Sequence, residues 1–277
     1  MPTKVAYLGP SGTYAEEATS ILLGLEKLVT PTIIPYTGLR SVIDNLTNKV
    51  CDAAVVPIEN SVEGGVTATL DALWNSPQLF IRRAIVLPIN HSLLSSGVMA
   101  EISEVLSHPQ ALAQCSTWLH ENLPNAIQLP TNSTAEAVRM VKGSKFRAAI
   151  GPRSFSAVDS VQELAFPIND VKGNRTRFVL LQREEKNKTG DIASIAFSLH
   201  ENAPGALLKV LDSIAKAGLN MSRIESRPSK RELGEYVFFV DVELSKNMIN
   251  SYNELKITIK PLCEHFVDFG CYPNTNV

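Results

Sequence analysis

The sequence lacks the signatures of several large classes of chemistry. Its four cysteines, Cys51, Cys115, Cys263 and Cys271, form no Cys-x-x-Cys pair; in a reducing compartment they read as buried thiols. The five histidines, His91, His108, His120, His200 and His265, stand without ligand spacing, so no metal site is expected. Neither a Gly-x-Gly-x-x-Gly stretch nor a Walker lysine occurs, which argues against dinucleotide and nucleotide chemistry. No apolar run approaches the roughly 20 residues that span a bilayer. A net charge of −2 gives no electrostatic reason to expect nucleic acid or a membrane as partner. Met1 to Leu8 runs straight into a strand, leaving no room for a signal or transit peptide, and the expected location is the cytoplasm.

What is present suits a globular protein of about two domains: 277 residues, 44% hydrophobic and 19% charged. Lys4–Leu8 reads as a short buried strand, broken by Gly9-Pro10-Ser11-Gly12, with a helix beginning at Thr13. Thr13 and Glu16 have the spacing of a capping box. A strand, a glycine turn and a helix N-terminus can bind an anion; a plain βα turn has the same pattern. Residues 51–57 form a second apolar strand, and Glu59, Asn60 and Ser61 past its end stand where open α/β sheets bind ligands. Gly64 and Gly65 allow a sharp turn before a helix over Thr67–Trp74. Pro109 suits a helix first turn, with Gln110 able to face a ligand and Gln114 read as packing. Ser133 and Glu136 form another capping box. These βα units, from residue 4 to about 160, predict parallel, doubly wound sheets around a cleft lined by helix N-termini.

Residues 184–190 are charged, lack apolar periodicity and read as a linker. Beyond it, Ile195, Phe197 and Leu199 alternate as a strand, and Pro204-Gly205 opens a helix with Leu207, Leu208, Leu211 and Ile214 on one face. Strands over 219–227 and 236–242, a helix between 248 and 264 and a strand over 266–272 complete a βαββαβ, ferredoxin-like module. The expected domains are residues 1–183 and 191–277.

The chemistry is expected at Gly173-Asn174-Arg175-Thr176-Arg177-Phe178, the mouth of the apolar strand Val179-Leu180-Leu181. Arginine fixes planar carboxylates by paired hydrogen bonds, and a neighbouring hydroxyl can give a proton to a departing oxygen. That pairing suits a small acid with a leaving hydroxyl. A strand edge with exposed arginines fits the same residues.

Taken in order, Gly9-Pro10-Ser11-Gly12-Thr13, Pro57-Ile58-Glu59-Asn60-Ser61, His108-Pro109-Gln110 and Asn174-Arg175-Thr176-Arg177-Phe178 resemble the prephenate dehydratase family over nearly the full length. Gly205-Ala206-Leu207 through Leu211, and Ile224-Glu225-Ser226-Arg227-Pro228, resemble motifs of the ACT regulatory domain of those enzymes. The resemblance implies two α/β lobes, similar to periplasmic binding proteins, with the active site between them and an ACT domain behind. It implies cofactor-free conversion of prephenate to phenylpyruvate, with loss of water and carbon dioxide, in phenylalanine biosynthesis.

By the same resemblance Thr176 is the catalytic threonine, and Asn60 and Gln110 are active-site polar residues. Gly12, Thr13, Glu59, Ser61, Arg177 and Phe178 are the substrate-binding candidates, with Arg177 and the Gly12-Thr13 amides for the carboxylates and Glu59 as an orienting group. Phenylalanine as feedback effector is implied at Gly205, Ala206, Leu207, Asn220, Glu225, Ser226 and Arg227, in a homodimer or homotetramer. The chain departs from the family at Ala15, where a serine is common, and at Gly151-Pro152-Arg153-Ser154, which replaces a small-residue turn. Two alternatives stay open: dehydration of arogenate, the aminated analogue, and a ligand sensor of the same two-lobed fold without catalysis.

Overall fold

The computed structural model describes residues 3–28, 30–157, 161–183, 187, 189–245 and 248–277. β1 (Lys4–Leu8) buries Val5, Ala6 and Tyr7 completely. Gly12, at φ +90°, takes the left-handed turn that leads into α1 (Tyr14–Leu25), whose Ala15, Ala18, Leu22 and Leu23 line the core side. β2 (Thr32–Tyr36), α2 (Leu39–Thr47) and β3 (Ala53–Asn60) repeat the unit. The two-residue β4 (Gly64–Gly65) folds back on β3, followed by α3 (Thr67–Trp74) and β5 (Phe80–Pro88). The chain then crosses to a second lobe: β6 (His91–Ser95), β7 (Glu104–Ser107), α4 (Pro109–Ala113), α5 (Ser116–Asn122), β8 (Ile127–Pro130), α6 (Thr134–Val141), β9 (Arg147–Pro152) and β10 (Gln162–Ala165). It returns to the first lobe as β11 (Arg175–Gln182).

The first sheet runs β16-β5-β11-β3-β1-β2, where β16 is the short final strand Asn274–Asn276, with β4 on β3, and the second β10-β6-β9-β7-β8. Both are mixed, which corrects the expectation of parallel sheets. β1 is parallel to β2 and β3, but β11 is antiparallel to both β3 and β5. The reason lies in the two crossings. β5 leaves at Pro88 directly opposite Arg175, where β11 enters, so neighbouring strands must run in opposite directions. The crossings are stitched together by hydrogen bonds from the Ile89 amide to the Asn174 carbonyl (2.8 Å) and from the His91 amide to the Asn169 side chain (2.6 Å).

The C-terminal module consists of β12 (Ile192–Leu199), α7 (Ala206–Lys216), β13 (Asn220–Pro228), β14 (Tyr236–Glu243), α8 (Ile249–Ile259) and β15 (Cys263–Tyr272). Its antiparallel order β13-β14-β12-β15 is the ferredoxin-like arrangement read from the sequence. One face packs under the helices through Ile195, Phe197, Val210, Ile214, Leu255 and Ile259. The other, with Ala196, Phe239, Phe269 and Tyr272, shares a core with Leu70, Leu73, Ile81 and Val179 of the first lobe. The last strand, β16 (Asn274–Asn276), pairs in parallel with β5, so the chain end belongs to the first sheet. Of the expected linker, Glu184, Glu185, Lys186 and Lys188 lie outside the described residues. Among those described, no helix is long and apolar enough to cross a membrane.

Candidate active site

Cross-strand register brings the reactive groups together. Thr176 of β11 stands opposite Asn60 of β3, and Arg177 opposite Glu59. β3 therefore runs through Glu59 and Asn60 instead of ending before them. Side chains alternate along a strand, so Thr176 and Asn60 share one face while Arg177 and Glu59 turn to the other. The register slips just after Arg177, a bulge of the kind that re-aims side chains beside active sites.

The hydrogen bonds on the Thr176 face have a fixed direction. The Asn60 carboxamide oxygen accepts the amides of Val62 (2.9 Å) and Glu63 (3.1 Å), closing the turn that follows β3. Its NH2 group must then point the other way, donating to Thr176 Oγ1 and to Asn174 Oδ1, both at 2.9 Å. Thr176, Asn60 and Asn174 are all buried. Asn174 Nδ2 donates to Gln114 Oε1 (3.0 Å), and Gln114 Nε2 donates to the Glu63 carboxylate (3.0 Å), tying the second lobe to the first. A carboxylate only accepts, so Glu63 sets the orientation of Gln114. Gln114 Oε1 is then an acceptor, and His91 Nε2, 3.2 Å away, must carry a hydrogen. Burial pushes the His91 pKa down to about 4, so the ring is neutral near pH 7. Its Nδ1, the acceptor in that tautomer, faces the Tyr14 hydroxyl (3.2 Å), for whose single hydrogen the Asn90 carbonyl (2.7 Å) competes. The result is an uncharged relay of amides and hydroxyls at the hinge, with Thr176 Oγ1 accepting and its own hydrogen left to donate.

Several expected residues are placed differently. Gln110 is exposed on the first turn of α4 and takes no part in the relay, whereas Gln114, the C-cap of that helix, does. Arg177 does not face the crevice. Its guanidinium contacts Glu59 (2.9 Å) and the fully buried Asp241 of β14 (2.5 Å), because the strand pleat sends it toward the C-terminal module. Phe178 is packed in the core with Val5, Ile85 and Leu180. The Gly12 amide donates to Glu16 (2.6 Å), which also accepts from Tyr7 (2.9 Å), while the Thr13 hydroxyl donates to the Leu8 carbonyl. The capping box expected there does not form, because the Thr13 side chain makes no cap bond and Glu16 reaches back to the Gly12 amide, so the Gly12 N–H already has an acceptor. Gly12 nevertheless lies at the inter-lobe crevice, since a Cβ there would strike the Phe155 ring of the second lobe. Ser61 Oγ accepts from the Arg175 amide (2.9 Å), pinning the entrance of β11 to the turn after β3.

On the module, Gly205 caps α7 in the left-handed region (φ +83°), with Ala206 and Leu207 in the first turn. Asn220 donates to Glu243 (2.8 Å), and Ser226 is exposed. Glu225 and Arg227 point toward the first lobe: the Glu225 carboxylate fills the space beside Gly65, and Arg227 lies 3.7 Å from Asp71. Sequence reasoning missed Gln114 and His91. Gln114 is one turn beyond Gln110 and equally polar, so the spacing offered a signal without a choice between them. A lone histidine offered none.

The chain and its fold have counterparts among known proteins. A family model described as "Prephenate dehydratase" matches residues 5–186. A prephenate dehydratase of Methanocaldococcus jannaschii is 36% identical over 282 residues, covering 99% of both chains. One from Lactococcus lactis is 36% identical over 260 residues, covering 92% of this chain and 90% of the relative. Among solved structures, a prephenate dehydratase from Arthrobacter aurescens in complex with L-Phe superposes with a TM-score of 0.85 at 34% identity, covering 98% of this chain and 90% of that one.

Proposed function

This chain belongs to the prephenate dehydratase family, and we propose that Thr176 is the acid that protonates the departing hydroxyl of prephenate. The ring hydroxyl takes one proton and leaves as water. The carbon–carbon bond to the ring carboxylate breaks in the same sense, its electron pair enters the ring, and carbon dioxide departs. Aromatisation supplies the driving force, which leaves positioning and proton delivery to the protein. The observation that carries this reading is the direction of the bond between Asn60 and Thr176. Asn60 donates to Oγ1, so the hydroxyl hydrogen is free for the substrate, and the donated N–H stabilises the oxygen as its proton departs. Solvent water then restores the proton. Asn60 orients Thr176, and Gln114, through Asn174, orients Asn60. Arg177 serves the strand pair and not a substrate carboxylate. Mixing the protein with prephenate and following phenylpyruvate absorbance tests the reading, with arogenate as the competing substrate. Turnover that survives Thr176→Ala overturns it.

Residues 1–183 are the catalytic unit in this reading and 191–277 the regulatory, ACT-type unit, with β16 crossing back. Phenylalanine binds there as feedback effector, at the Gly205 turn and the Glu225-Ser226-Arg227 strand. The left-handed Gly205, the ferredoxin-like topology and the L-Phe bound by the Arthrobacter relative support this. A homodimer or homotetramer is supported by β13, an edge strand, with Leu208, Ile224 and Tyr236 exposed around it. Calorimetry with phenylalanine, paired with light scattering, tests both; no heat at millimolar phenylalanine removes the effector role.

A further inference from the structure

Asp241 has no exposed surface, yet it lies in the apolar layer between the C-terminal module and the first lobe. Sheet register places it opposite Arg223 on β13 and Ser194 on β12. Arg223 Nε donates to it at 2.8 Å, and Ser194 Oγ donates at 2.6 Å while also contacting the Tyr272 hydroxyl at 2.6 Å. From across the interface comes Arg177 Nη2 at 2.5 Å, which also contacts Glu59 at 2.9 Å. Arg223 continues the series to Glu225 at 3.5 Å, whose carboxylate abuts Gly65. Both arginines expose 8% of their side chains. A buried charge cluster is weak as a source of stability, since an apolar isostere packs as well; its attested use is to fix register. Here the register concerned is that of the strands carrying Thr176 and Asn60, because Arg177 and Glu59 are their immediate neighbours in the chain.

We propose that Asp241 is a positioning residue for the dehydration. From the module it holds Arg177, and through Arg177 and Glu59 it sets the strand geometry in which Asn60 meets Thr176. This rests on the reading of Thr176 as the acid. It makes the β13–β14 pair a mechanical neighbour of the catalytic strands: a displacement of Arg223 or Glu225 reaches Thr176 through one carboxylate and one guanidinium.

The test is steady-state kinetics on the full-length protein, alongside thermal unfolding followed by circular dichroism. Asp241→Asn keeps the shape and removes the charge. It is expected to lower kcat roughly tenfold to a hundredfold with KM changed less than about twofold, as misplacement of a catalytic group does. In an Arg177→Gln background the same change is expected to cost less than about twofold more, because both act through one contact. Ser194→Ala, which removes a single neutral donor, is the milder variant should Asp241→Asn fail to fold. Its expected effect is a drop in kcat of about threefold or more, again at steady KM. A folded Asp241→Asn or Ser194→Ala protein with wild-type kcat overturns the proposal, as does a double variant whose losses multiply. Thr176→Ala in the same assay separates the two readings. If it keeps its turnover, the site assignment falls and this inference with it; if it alone loses turnover, only this inference falls.

Discussion

Two buried polar networks lie on opposite faces of one strand pair, β3 and β11, and they are made of different chemistry. On the hinge face, Thr176, Asn60, Asn174, Gln114 and His91 are uncharged, and a carboxylate, Glu63, enters only at the outer end. On the module face, Glu59, Arg177, Asp241, Arg223 and Glu225 are all charged. Neutral amides hold their partners by direction, with each donor assigned to one acceptor, so a hydroxyl among them keeps a proton to give. Charges buried together recover their lost hydration only while their geometry is kept, and they resist displacement. The pleat assigns reactivity to one face and rigidity to the other, with alternate residues of the same strands serving each.

Removing the reactive group should break the comparison most sharply. Thr176→Ala is expected to lower kcat by a factor on the order of 10² to 10⁴, the range of general acid catalysis. Thr176→Ser keeps the hydroxyl and should recover most of that loss. A tenfold loss or less in a folded alanine variant takes Thr176 out of the role. Asn60→Asp comes next. An aspartate can still cap the Val62 and Glu63 amides but cannot donate to Oγ1, so Thr176 would turn its hydrogen toward the new carboxylate. A loss of about 10² to 10³ in kcat is expected, comparable to losing one preorganised donor. Unchanged kcat in a folded Asn60→Asp protein would show that the direction of this bond is irrelevant.

The relay can be separated from its neighbourhood at one helix. Gln114→Ala is expected to lower kcat about tenfold or more by freeing Asn174, whereas Gln110→Ala should change it less than about twofold. The opposite ranking would move the site one turn along α4.

This pair of glutamines also marks how far the sequence could be read. Strand, glycine and helix followed one another as expected at Lys4–Leu8 and Tyr14–Leu25, and the whole βαββαβ order of the module was legible, because periodicity and Gly/Pro punctuation are local signals. The order of strands within the sheets was less so: β11 returns antiparallel because two crossings share one hinge, and β16 rejoins a sheet nearly 200 residues upstream of it in sequence. Side-chain facing along β11 was not legible. Arg177 and Phe178 follow Thr176 directly, yet one belongs to an ion cluster and the other to the core, since their facing depends on which layer covers each side of β11. Asp241 gave no signal, since an acid near the end of the strand Tyr-Val-Phe-Phe-Val-Asp-Val-Glu carries no mark of burial.

The response to acid also separates the two networks. His91 has its pKa pushed from 6.5 down to about 4 by burial, against the opposing effect of the hydrogen bond it donates to Gln114. Its folded value lies below its unfolded one, so its contribution to stability is complete above the unfolded pKa. That contribution drains away as pH falls from about 6.5 toward 4, where the unfolded chain binds a proton that the folded chain refuses. A shift of this size corresponds to roughly 3 kcal/mol in all. Asp241 behaves differently. Burial alone would raise it, but Arg223 and Arg177 hold it well below the usual carboxylate range, so Asp241 keeps its charge across that window and titrates only in stronger acid. Urea unfolding at pH 7 and at about pH 4.5 should therefore show a loss that His91→Gln largely abolishes and Ser194→Ala leaves unchanged. If His91→Gln keeps the full acid sensitivity, the hinge face carries a charge that the neutral relay has no place for.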